Sequence, residues 1–82
     1  QEKTGDKAKL AKLYNNLGVL CKDLGDYQEA LRYYGTALKL SESLSDTLIT
    51  ADVYNNFGVT LRRMGNPEEA ANYFIEALKL RE

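Results

Sequence analysis

The sequence predicts an all-α protein built from tandem antiparallel helical hairpins, and three observations carry that expectation. The chain duplicates itself. An offset of 40 residues lays Tyr14-Asn15-Asn16-Leu17-Gly18-Val19 on Tyr54-Asn55-Asn56-Phe57-Gly58-Val59, Glu29-Ala30 on Glu69-Ala70, and Ala37-Leu38-Lys39-Leu40 on Ala77-Leu78-Lys79-Leu80. Within each copy, apolar residues recur at three- and four-residue steps, the period of one helix face. Strong turn signals, Gly25-Asp26 and Gly65-Asn66-Pro67, divide each copy in two. No segment alternates long enough to compete as a strand.

Helices are expected over about 7–24, 27–43, 47–64 and 67–81. The first carries Leu10, Leu13, Leu17, Leu20, Cys21 and Leu24 as its apolar stripe, with Asp6 as its cap after Gly5. Gly25 ends it in the left-handed conformation that glycine tolerates. Asp26 then caps the second helix and Glu29 completes a capping box. Ala30, Leu31, Tyr34, Ala37, Leu38 and Leu40 form the second stripe. Asp46 caps the third helix after the Ser-rich stretch 41–45, where Leu44 still packs. Gly65, Asn66 as cap, Pro67 at the first helical position and Glu69 open the fourth. Turns this short make consecutive helices antiparallel.

Gly18 and Gly58 fall mid-helix, where glycine costs about 1 kcal/mol relative to alanine. Because the cost recurs at equivalent places, a packing reason is expected: no Cβ is wanted where a partner helix crosses. Ala30, Ala37, Ala70 and Ala77 would offer small facing surfaces, and Tyr14, Tyr34, Tyr54 and Phe74 would fill the wider gaps.

Two periods of 40 nearly exhaust the chain. Residues 1–5 read as the tail of a preceding repeat helix, 6–45 as a first unit and 46–82 as a second, as in a segment of a longer array. Eleven basic and twelve acidic side chains leave a net charge of −1. That argues against broad electrostatic capture of nucleic acid or an anionic membrane. With no His and one Cys, no zinc cage or disulfide framework can form within the chain. No apolar run approaches the roughly 18 residues of a membrane span, and no leader pattern opens the chain. A reducing, cytoplasmic setting is the resulting expectation. In so small a chain no deep catalytic cavity is expected, and we assign no catalytic residue, metal or cofactor. Cys21 reads as a small buried hydrophobe rather than a reactive thiol.

These residues resemble the tetratricopeptide repeat family, whose helix-turn-helix pattern runs W-x2-L-G-x2-Y, then A-x3-F, then A. Tyr14, Leu17, Gly18 and Cys21, followed by Ala30, Tyr34 and Ala37, match it once. Tyr54, Phe57, Gly58 and Leu61, followed by Ala70, Phe74 and Ala77, match it again. There are departures. Tyr14 replaces Trp, Cys21 and Leu61 stand where the family often has Tyr, and the period exceeds the usual 34 or so. The extra residues fall between Leu40 and Val53. Long periods of this kind are similar to those of kinesin light chains and the Pins/LGN spindle-orientation adaptors; bacterial signalling proteins and peptide-sensing regulators also use them.

The resemblance implies an α-solenoid fragment acting as a non-catalytic scaffold, with the first helix of each unit lining a concave groove for a peptide. Away from the buried stripe, that groove would present Lys12, Asn15, Asn16, Val19, Lys22 and Asp23. Their counterparts are Asp52, Asn55, Asn56, Val59, Arg62 and Arg63. The doubled asparagines are the sharpest signal, because Asn is a poor helix former. An amide offers a donor and an acceptor together, which suits a ligand's backbone. By resemblance, Asn16 and Asn56 match the asparagine with which related grooves grip peptide backbone. The alternative is that these amides bond a neighbouring helix or simply inherit the duplication.

Lys12, Lys22, Arg62 and Arg63 outnumber Asp23 and Asp52 on that side, which favours an acidic peptide; the alternative is a solvated basic surface. A second reading is architectural. Repeats bury their faces on neighbours, so open ends at Leu10, Leu13 and Tyr14, and at Tyr73, Ala77, Leu78 and Leu80, predict self-association of the chain.

Overall fold

Three tight turns of one geometry set the architecture. In the computed structural model, which describes residues 3–81, the chain forms α1 (Lys3–Asp23), α2 (Tyr27–Ser43), α3 (Thr47–Arg63) and α4 (Pro67–Arg81). At the first turn, Gly25 N–H donates to Lys22 O at 3.0 Å and Asp26 N–H to Cys21 O at 2.8 Å. That is a Schellman closure, which satisfies the last carbonyls of α1. Ser45–Asp46 and Gly65–Asn66 repeat it on Glu42 and Ser41, and on Arg62 and Leu61. Gly25 and Gly65 sit at φ +89° and +93°.

The middle turn asks the same of a residue with a Cβ. Ser45 holds φ 55°, in a region that costs a non-glycine residue about 1 kcal/mol. Ser45→Gly is therefore expected to stabilise the fold by about 0.5 kcal/mol, raising the melting temperature by a few degrees once the looser unfolded chain is counted. A lower melting temperature in calorimetry would contradict this.

Asp26 and Asp46 cap as expected, accepting from Glu29 N–H at 3.3 Å and Ile49 N–H at 3.1 Å. Other caps differ. The reciprocal half of the capping box is missing: Asp26 N–H already serves the Schellman turn, and Glu29 instead pairs with Arg32 at 3.3 Å. Asn66 serves α4 through its backbone carbonyl, which accepts from Ala70 N–H at 3.0 Å. Asp6 does not sit at a helix start, because α1 already runs through Lys3, Thr4 and Gly5. A glycine ends a helix only by turning left-handed, and Gly5 does not. Of the segment expected as a preceding tail, Gln1 and Glu2 lie outside the described residues, as does Glu82.

Each helix packs on the next, α1 also meets α3, and among the described residues α4 touches only α3. The result is a slab with Cα extents of 43 × 30 × 13 Å. The two mid-helix glycines explain how each hairpin closes. A Cβ built on Gly18 would lie 2.6 Å from Tyr34 Cδ1, and one on Gly58 2.6 Å from Phe74 Cε1. In both units the second helix seats its ring in a socket that only glycine leaves open.

Tyr34 is fully buried with Ala11, Ala30, Ala37, Ile49 and Val53. Its hydroxyl accepts from Thr60 Oγ1 at 3.4 Å, across the boundary between the units. Burial raises its pKa above the ordinary tyrosine value, with Asp23 adding to the rise and the Thr60 bond opposing it. Ser41 and Thr50 share a second buried bond at the same boundary, 2.7 Å long. Aromatic rings run from the boundary into the second unit: Tyr34–Phe57 crosses it with centroids 5.5 Å apart, and Phe57–Tyr73 and Tyr73–Tyr54 follow at 4.9 and 5.7 Å.

The expected stripe of α1 needs correction. Ala11 and Gly18 are its buried residues, Tyr14, Leu17 and Cys21 are half-buried, and Leu10, Leu13, Leu20 and Leu24 are exposed. α1 has α2 on one flank and, among the described residues, nothing in the place that α2 takes on α3.

Candidate functional site

The side formed by α1 and α3 carries the residues expected to bind. Because turns of equal geometry flank them, α1 and α3 run in the same direction, and Asn15 comes opposite Asn56. Asn56 Nδ2–H donates to Asn15 Oδ1 at 2.8 Å. The bond is partly buried and joins the units. It uses one amide hydrogen of Asn56 and, among the described residues, leaves Asn56 Oδ1 without a protein partner. Asn16 is exposed and Asn55 half-buried, and neither makes a side-chain hydrogen bond within the described residues. So two of the four amides join helix to helix and two face outward.

The charges divide into two groups. With Asn15 opposite Asn56, Lys12 lies level with Val53, about 14 Å along the helix direction from Arg62. Lys22 lies level with Arg63, so Lys22, Arg62 and Arg63 share the C-terminal ends of α1 and α3. Cations there complement the helix dipoles whatever else they do. Lys22 has most of its side chain covered and lies 3.7 Å from Asp23, while Arg62 and Arg63 are exposed. At the other end, Asp52 is held by Arg81 at 2.8 Å, and Lys12 is exposed. Val19 packs against the core cluster and Val59 is half-buried, so both serve as floor more than as reaching groups.

The helix periodicity pointed to no hollow, but one is present. An open depression of about 350 Å³ lies between the α2–α3 turn and the end of α4, rimmed by Glu42, Asp46, Tyr54, Glu76 and Leu80. Burial raises the Tyr54 phenol, and Glu42 and Glu76 raise it further. The equal spacing of Glu42, Asp46 and Thr50 along the chain was the available signal. Among the described residues no cluster of His, Cys, Asp and Glu could hold a metal ion, and no helix is long and apolar enough to cross a membrane. Desolvation, then Asp26 and Glu29, push the Cys21 thiol up, away from the thiolate form that a nucleophile needs.

Glycine sockets, a doubled hairpin and shared turn geometry together define a helical-repeat module. The tetratricopeptide repeat model matches residues 9–82, and the chain belongs to that family. Comparison with curated proteins and with solved structures finds no match. Repeats of this family are typically non-catalytic and act as scaffolds for protein–protein interaction.

Proposed function

We propose that this chain is a peptide-binding scaffold module of a cytoplasmic adaptor, with its ligand lying along the α1–α3 side. The observation that carries the reading is the asparagine set. Asn16 and Asn55 present unengaged amides, and Asn56 keeps its Oδ1, so the wall offers both donors and acceptors to an extended backbone. Lys22, Arg62 and Arg63 give one end of the wall a positive field, which favours acidic residues in the ligand. Lys12 would meet the other end of the segment. The long period likens the pair to the repeats of adaptor proteins. Binding is noncovalent, with a preformed helical wall that reorganises little.

The test is a peptide array of extended segments bearing Asp or Glu at varied positions, followed by calorimetry on the strongest binder. Asn16→Ala is expected to weaken that binder about 5–10-fold with helicity unchanged, the loss of one or two hydrogen bonds. Unchanged affinity would remove Asn16 from the site.

A second reading is favoured by the exposed leucines of α1 and by Leu78 of α4. On that reading the chain is a stacking unit that associates through its open ends, without a separate ligand.

A further inference from the structure

The contact between α2 and α3 serves as a template for what the faces of α1 and α4 left uncovered by the described residues would fit. Each end is a shifted copy of one half of it: α4 repeats α2, and α1 repeats α3. Thr50, Val53 and Thr60 of α3 lie under α2 and are 7%, 0% and 0% exposed. Their equivalents in α1, Leu10, Leu13 and Leu20, are 41%, 50% and 54% exposed. On α4, Leu78 repeats Leu38 and is 60% exposed, although Leu38 packs on the core.

We propose that the chain docks head to tail on a second copy of itself, α4 of one copy lying on α1 of the next as α2 lies on α3. The proposal rests on the second reading above and adds the partner, the faces and the register. Two correlated replacements carry it. Within the chain, Tyr34 meets Thr60 hydroxyl to hydroxyl. At the ends, Phe74 stands for Tyr34 and Leu20 for Thr60, so both hydroxyls vanish together. Had only one been lost, docking would strand a buried polar group. With both lost, the junction is apolar against apolar, with Leu78 over Leu13 and Phe74 between Leu17 and Leu20.

The amides continue in the same register. Asn15 and Asn56 bond across the internal boundary, and their shifted equivalents, Asn55 and Asn16, have no such partner among the described residues. In the docked pair Asn16 of one copy donates to Asn55 of the other. Arg81, in place of Ser41, has its guanidinium held by Asp52, and Lys9, in place of Ile49, reaches water from the edge of the face. Such a contact joins unlike faces and does not close on itself, so association grows with concentration.

The test is complementation, read by sedimentation. Leu13→Glu blocks the α1 face and Leu78→Glu the α4 face. Each variant is expected to stay monomeric up to about 1 mM, where the native chain forms species beyond a dimer. Mixed in equal amounts, the two variants are expected to double in mean mass and grow no further. Asn16→Ala added to the Leu78→Glu copy is expected to weaken that mixed dimer roughly fivefold. The same change in the Leu13→Glu copy, whose Asn16 lies outside the junction, is expected to have no effect.

A native chain that stays monomeric, a mixture that fails to pair, or a single variant that still dimerises would overturn the proposal. Equal effects of Asn16→Ala in both copies would overturn its register. Circular dichroism checks that the variants fold, with Leu20→Glu and Ala71→Glu, the latter at the place of Leu31 of α2, replacing any that does not. No peptide is present, so failure here leaves the peptide-wall reading standing.

Discussion

Replacing Tyr34 with Ala is expected to unfold most of the protein at room temperature. Tyr34 is the largest fully buried side chain and sits where three helices meet: its ring lies in the Gly18 socket, packs tilted against Phe57 and ends at Thr60. Truncating a buried aromatic to Ala costs about 3–5 kcal/mol, since the lost transfer energy adds to that of a cavity. Here the Thr60 hydroxyl also loses its partner, at roughly 1 kcal/mol more. A domain this small has about 5 kcal/mol to lose. Denaturant titration is the check, with the midpoint expected to fall close to zero. Phe74→Ala should cost less, because its ring is only half-buried and carries no hydroxyl.

The second large effect lies on the other side of the same contact. Gly18→Val is expected to destabilise by about 2–3 kcal/mol, although it replaces a poor helix former. Its Cβ would intrude on the Tyr34 ring and lie 3.1 Å from the Ala30 carbonyl, and neither neighbour has room to retreat. The three atoms nearest a Cβ on Gly58 all belong to the Phe74 ring, which is half-buried and can swing toward solvent. The cost of Gly58→Val is expected to be smaller by about 1 kcal/mol. The sockets are separable from ordinary crowding by a double-mutant cycle. Gly18→Ala is expected to destabilise the native chain and to become neutral or stabilising when Tyr34 is already Leu. Additive costs in that cycle would mean that the ring does not fill the socket.

Much of this was legible in the residues. Gly25, Gly65, Asp26 and Asp46 each state a local backbone requirement, and such requirements survive folding because nothing distant competes with them. Gly18 and Gly58 were legible for a subtler reason: an unfavourable choice made twice at one register implies a contact that demands it. The start of α1 was misread for the converse reason. Gly5 weakens a helix without being able to end one, and no left-handed turn follows it.

What lay beyond the sequence were the polar pairs across the unit boundary: Ser41 with Thr50, Tyr34 with Thr60, Asn15 with Asn56. Periodicity assigns a residue to a face but does not say which residue of another helix meets it. For the asparagines, the helix-to-helix use is observed for Asn15 and Asn56, while Asn16 and Asn55 make no such bond among the described residues. The exposed leucines of α1 mark the same limit. A stripe at helical spacing looks alike whether its neighbour is present or still to be met.

The central claim is that the two halves are one hairpin used twice, stacked so that the second helix of the first unit packs against both leading helices. Nuclear Overhauser contacts on a dilute, isotopically labelled sample test it most directly. The predicted spectrum links Tyr34 ring protons to Gly18 Hα and the Thr60 methyl, Phe74 ring protons to Gly58 Hα, and the Asn15 and Asn56 side chains to each other. Tyr34 contacts confined to its own hairpin, with none to Thr60 or Phe57, would mean that the units do not stack this way.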